Sequence, residues 1–224
     1  MTGPRLPRVL LPVGHDLGAH YASEGASPVF QVRVGGSIVE LDASEYVLWS
    51  LAHGRLDRDR EWSRDDTVAA ATARGLHDPD SVLDRLLEWT LIYDVALGSD
   101  ESAEFGRLFR PVPLMLGLGP AVDELDIWRI GVSDEAVVGV TEAMYDLFLW
   151  AHLDESLWSA CRSSAAIARR LGDREHTRTD PRLLMECFLL TAHDLLATHC
   201  MYFDIEPGLT GARRPVMDIE GGAV

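Results

Sequence analysis

Two histidines, His53 and His152, close two stretches of the same sequence. Imidazole is the side chain that titrates nearest neutral pH, so a recurrent pair invites an acid–base reading. Each one, however, ends an apolar helical stretch, where a histidine favours the last carbonyls and the helix dipole, and that structural role suffices. His193, His199, Cys187 and Cys200 lie close together in the chain. A spacing of six between the two histidines does not place them on one helical face, as four would. His15 and His20 are five apart and are read as loop residues. No metal site is expected. Asp65-Asp66 stand at a helix start, where carboxylates complement the dipole. The sequence has no glycine-rich phosphate loop, no G-x-S-x-G and no H-E-x-x-H. Neither enzymatic activity nor a cofactor is expected.

The remaining chemistry is recognition. Arg169, Arg170, Arg174, Arg178 and Arg182 fall within 14 residues, diluted by Asp173, Glu175 and Asp180, and Arg162 lies about two turns earlier. Such a cluster reads as a solvated helix end, as an anion or nucleic-acid contact, or as a match for an acidic partner. The aromatics Trp62, Trp89 and Tyr93 fit a core, or a groove beside an exposed hairpin edge. That edge is expected at Val29–Val34, where Val32 and Val34 would meet an added strand of a peptide partner.

Composition narrows the partner. All 20 basic residues are Arg, against 36 acids, giving a net charge of −16. Residues 1–100 carry −7 and residues 101–224 carry −9, so neither half is basic overall. A chain this acidic is repelled by phosphate backbones unless its Arg residues gather on one face. No apolar run approaches the roughly 20 residues of a membrane helix. The first residues lack a long apolar core with a small-residue cleavage site, and a cytoplasmic location is expected. The three cysteines imply neither a disulfide framework nor a zinc ribbon.

The positioning elements come twice. Residues 38–53, IVELDASEYVLWSLAH, align without a gap at an offset of 99 to residues 137–152, VVGVTEAMYDLFLWAH. Val39/Val138, Tyr46/Tyr145, Leu48/Leu147, Ala52/Ala151 and His53/His152 are identical. Trp62-Ser63 meets Trp158-Ser159, Asp78-Pro79 meets Asp180-Pro181, and Arg5-Leu6-Pro7-Arg8 meets Arg107-Leu108-Phe109-Arg110 at drifting offsets. Loop insertions in a duplicated module produce such drift.

In the first copy, Val29–Val34 and Ser37–Leu41 are β-rich and joined at Gly35-Gly36, a two-residue hairpin turn. Asp42 caps a helix from Ala43 to His53, stopped by Gly54. Ser63 opens a second helix to Arg74, Asp78-Pro79 opens a third, and Leu91–Ala96 closes as a strand. The second copy repeats this order. Its hairpin spans Ile127–Val132 and Ala136–Val140, and its helices run over Thr141–His152, Ser163–Leu171 and Pro181–Leu196, with a closing segment at Thr198–Ile205. The third helix of the first copy, taken over Asp78 to Asp94, has five acids and Arg85 alone, a poor groove reader. That of the second copy is apolar and reads as buried.

A hairpin, three helices and a closing strand is winged-helix content. The motif Leu41-Asp42-x-x-Glu45-Tyr46-x-x-Trp49-x-Leu51-x-x-Gly54, followed by two helices and Leu91-Ile92-Tyr93-Asp94-Val95, resembles the PqqD-like modules known as RiPP recognition elements. The family's Asp-Gly is His53-Gly54 here and His152-Leu153 in the second copy. The resemblance implies binding of a leader peptide as an added strand beside the third helix.

The expectation is a helix-rich α+β protein of two tandem winged-helix modules, residues 1–98 and 105–206, with a linker at 99–104 and a tail at 207–224. A non-enzymatic binder of a peptide or protein partner is the leading function. A transcriptional regulator that contacts DNA through Arg162, Arg169, Arg170, Arg174, Arg178 and Arg182 is the alternative.

Overall fold

Short antiparallel strand groups alternate with helices along the chain, in a mixed α/β architecture. The computed structural model describes residues 7–23, 25, 27–56, 61–124, 126–205 and 217–218. The first half runs β1 (Arg8–Pro12), β2 (His15–His20), β3 (Val29–Val34), β4 (Ser37–Leu41), α1 (Ala43–Leu51), α2 (Arg64–Ala73), α3 (Pro79–Glu88) and β5 (Ile92–Ala96). Helix α4 (Asp100–Leu108) follows. The second half runs β6 (Arg110–Pro113), β7 (Leu116–Pro120), β8 (Trp128–Val132), β9 (Glu135–Val140) and α5 (Glu142–Trp150). After a 3-10 turn (Ala151–Leu153) come α6 (Leu157–Arg170), α7 (His176–Thr179), α8 (Pro181–Ala197), β10 (Met201–Asp204) and the short β11 (Met217–Asp218).

Local chemistry explains the boundaries. Asp42 and Glu45 form a reciprocal capping box at α1, and Ser63 and Asp66 form one at α2. Pro79 and Pro181 start α3 and α8, where a missing N–H costs nothing. Gly35, at φ +58°, makes the tight turn between β3 and β4. Ser133, at φ +57°, does the same work between β8 and β9.

Strand pairing follows one plan in both halves. β1 pairs with β5 and β6 with β10, while β2-β3-β4 and β7-β8-β9 form antiparallel groups. Each outer strand carries a bulge, at Asp16/Gly18 and at Gly117/Gly119. The matched tyrosines of the sequence repeat both reach that bulge. The Tyr46 hydroxyl donates to Asp16 at 2.6 Å, and the Tyr145 hydroxyl accepts from the Gly119 amide at 3.0 Å.

Three expectations need correction. β3 lies between β2 and β4, so Val29–Val34 is a central strand and not an edge. The Gly- and Pro-containing stretches 12–27 and 111–124, which lead into each copy, hold β2 and β7, which places His15 and His20 on a strand; their glycines serve the bulges. Residues 99–104 are no linker: Ser99 caps α4, and its Phe105 packs edge-on against Tyr93 of the first half and Phe203 of the second. The expected tail, 207–224, lies outside the described residues except Met217 and Asp218, which pair with Ile38 and Ser37 of β4.

The halves share one continuous core, from Val9 and Leu48 to Phe148 and Phe203. Polar bonds lock the seam. The Gly14 amide donates to the Phe203 carbonyl at 2.8 Å, and His193 Nε2 donates to the Leu10 carbonyl at 2.8 Å. The buried Asp204 carboxylate accepts from the Gly35 amide at 2.6 Å, the Ile205 amide at 3.0 Å and Arg33 at 3.3 Å. Docking therefore buries the first hairpin, with Val34 2% exposed, and leaves the second bare, with Val132 55% exposed.

Asp204→Ala removes an acceptor from two amides and a guanidinium. It is expected to destabilise the chain by about 2–4 kcal/mol in urea denaturation, with Asp204→Asn retaining part of the loss. A change below about 0.5 kcal/mol would show that the seam does not rest on this carboxylate.

Candidate functional site

The residues expected to bind a partner are held elsewhere. Val32 and Val34 are buried in the central strand, and Trp62 is buried with them. Trp89 packs half-buried against the core, and Tyr93 stacks edge-on with Phe105 and Phe109. Of the five, only Tyr93 lies on an edge strand, β5, which among the described residues pairs with β1 alone, and its ring is turned onto Phe105 and Phe109.

The arginine cluster divides into engaged and free groups. Arg178 pairs with Glu142 and Asp173 at 2.9 Å each. Arg169 donates to the Thr179 carbonyl, and Arg182 to the carbonyls of Gly98 and Ser99. Arg162, Arg170 and Arg174 are exposed and meet no partner among the described residues. Only Arg178 is neutralised by carboxylates; Arg169 and Arg182 are exposed but held by backbone carbonyls.

An exposed edge beside a helix lies in the second half. Among the described residues β9 is paired only on its β8 side, and Glu135, Ala136, Val137 and Gly139 are exposed. α8, the last helix of its half, packs against β9. Where the end of β8 meets α5, α7 and α8, a groove of about 470 Å³ opens, lined by Trp128, Thr141, Met144, Cys187 and Thr191 among others. Asp126, Glu142 and Glu175 line it with Arg178, which pairs with Glu142 at 2.9 Å, so the rim keeps a net negative charge. Trp128 is fixed there by Tyr145, its ring centroid 4.9 Å away. The corresponding edge in the first half, β4, is the one β11 covers. Sequence reasoning missed the β9 edge, although a trace of it was present. Glu40 is replaced by Gly139 in the repeat, leaving Val137-Val138-Gly139-Val140 without charge.

A second concavity lies at the seam. A cleft of about 650 Å³ is lined by His15 and Asp16 of β2, by α1 from Tyr46 to Leu51 and His53 beyond it, by Arg74 after α2, and by His199, Met201 and Tyr202. His53 and His199, two of the histidines singled out by sequence, meet here with ring centroids 5.8 Å apart. His152 does not join them; its carbonyl accepts from Arg110 in the other half. His15 packs on Tyr202 at 4.7 Å. His199 sits at φ +55°, the residue after the α8 C-cap, where glycine is the ordinary choice. Holding a histidine there costs about 1 kcal/mol.

His53 is 6% exposed. Its Nδ1 lies 3.1 Å from the Trp49 carbonyl, which only accepts, so the ring proton is on Nδ1. Burial pushes this imidazole down to about 4, with His199 and His193 acting in the same direction against the bond to Trp49. The neutral ring keeps its Nε2 lone pair, and that atom has no hydrogen-bond partner among the described residues. Burial also pushes the Cys161 thiol up and out of the reactive range.

Comparison of the chain with protein-family models, with curated proteins and with solved structures returns no match.

The sign of the His53 shift fixes a pH dependence. A proton binds the unfolded chain, near 6.5, more tightly than the folded one, near 4. The stability this neutral ring contributes is complete above about 6.5 and is lost as pH falls towards 4. The urea midpoint is expected to fall across that window, and less steeply in His53→Leu. Equal slopes in the two proteins would mean that His53 does not titrate differently on folding.

Proposed function

We propose that the protein is a non-enzymatic recognition module that takes an extended peptide as an added strand on β9, beside α8. The observation that carries this reading is the unpaired β9 edge, in a chain whose corresponding edge, β4, already accepts the antiparallel pair Met217–Asp218. An edge strand offers a row of backbone N–H and C=O groups, and alternate side chains of an incoming strand find pockets. The groove around Trp128, Met144 and Cys187 supplies such a pocket. The acidic rim and the net charge of −16 favour a peptide that carries Lys or Arg. The strand and helix order of each half, the matched tyrosines and the matched bulges support a duplicated winged-helix module of the PqqD-like kind.

The free arginines Arg162, Arg170 and Arg174 support the alternative, contact with nucleic acid. They lie along and beyond the end of α6, and Asp173 and Glu175 accompany them. A winged-helix DNA reader needs its cations on the helix that enters the groove. α8 carries only Arg182, which is tied to Gly98 and Ser99.

An array of basic extended peptides, each about 12 residues long, tests the reading. A binder is expected to slow amide exchange in Glu135–Val140 and to leave Ser37–Leu41 unchanged. N-methylation of alternate amides of that peptide is expected to weaken it at least tenfold, about 1.4 kcal/mol. No peptide binding, or protection confined to other elements, would overturn the proposal. A labelled mixed-sequence duplex at roughly 50 mM salt is expected to show no saturable binding up to about 10⁻⁴ M. Saturable, salt-sensitive binding lost on replacing Arg162, Arg170 and Arg174 would establish the alternative instead.

A further inference from the structure

We infer that the seam cleft is a binding site for a small planar aromatic acid that carries a ring N–H or a phenolic O–H. The site is independent of the β9 edge and stands or falls separately from the peptide reading.

Size and position come first. A volume of about 650 Å³ lies in the range of small-molecule sites, and a junction between packed units is where such sites form most often. Five rings, His15, Tyr46, Trp49, His199 and Tyr202, line the wall together with aliphatic side chains such as Leu51, Leu114 and Met201. Several are fixed before any ligand arrives. The Trp49 indole N–H donates to the Val13 carbonyl at 3.1 Å, and Tyr46 stacks on Phe30 with centroids 4.2 Å apart. Tyr202 accepts from Arg33 at 2.7 Å. A rigid ring-lined slot selects a flat aromatic guest by offset or edge contacts.

The polar groups then specify what the guest must carry. His53 lines the cleft, and its Nε2 is a lone pair on a ring more than nine-tenths buried, with the only proton committed to Trp49. An acceptor in that position calls for a donor on the ligand, and a ring N–H or phenolic O–H supplies one. Arg74 lines the cleft, is exposed and meets no partner among the described residues. It provides a charge-assisted contact for a carboxylate. Asp16 is the one acid in the wall, and its two oxygens already accept from the Tyr46 hydroxyl and the Gly18 amide, which holds it on the β2 side of the cleft.

Isothermal titration of the full chain with three probes tests the assignment. Indole-3-acetate has the ring, the donor and the acid; indole lacks the acid; 1-methylindole-3-acetate lacks the donor. Indole-3-acetate is expected to bind one to one with Kd below about 1 mM, and the other two at least about fivefold more weakly. Arg74→Ala, on an exposed helix end, is expected to reduce indole-3-acetate to the level of indole and to leave indole unchanged. His199→Gly fits the backbone at φ +55°, keeps the fold and is expected to weaken all three. No saturable heat up to about 10 mM indole-3-acetate, equal affinity for the three probes, or an unaltered Arg74→Ala would each overturn the inference.

Discussion

A carboxylate taken out of water must find donors or disrupt what surrounds it, and Asp204 finds three. Its position at the end of the last main strand lets it reach back to the first hairpin, to Gly35 and Arg33. That single reach fixes how one half sits on the other. The Gly14 and His193 bonds run along the same seam, and Phe105 fills it from α4. Without them each half would expose the apolar side of its own strands, and neither about-100-residue half would bury as much surface as the joined chain does.

The seam also explains why two halves of one plan end up different. The first hairpin is spent on docking: Val34 and Ser37 are buried, and the Gly35 amide is committed. Among the described residues, the second hairpin has no strand paired on the outer side of β9. Val132 and Val137 stay exposed, and β9 keeps a row of unpaired backbone groups. The cleft is a product of the same junction, since its wall combines α1 and β2 with the α8–β10 corner. One docking event therefore leaves two open features, on opposite sides of the repeat relation.

Much of this was legible in the sequence. The gapless match at an offset of 99 located β4–α1 and β9–α5, and the caps Asp42, Ser63 and the Asp-Pro pairs placed the helix starts. The leads were not legible as strands, because Gly18 and Gly119 look like loop residues until a bulge requires φ near +80°. α4 was hidden by its acidic first turn, which reads as a solvated connector; Ala103 and Phe105, further along, carry it into the core. Which strand forms the edge is a tertiary property. β9 and its counterpart β4 differ in pairing because β11, far away in sequence, lies on β4. The same holds for His53 and His199, which meet only because α8 returns to the first half.

The account stands on the halves folding as one body. Equilibrium unfolding in urea, with hydrogen-exchange pulse labelling read separately in α1 and α6, tests that directly. A shared core and a buried polar seam predict one transition, with the two helices losing protection at the same urea concentration. Two separated midpoints, with α6 and α1 unfolding independently, would contradict it and would mean that the seam is an incidental contact between two self-sufficient units.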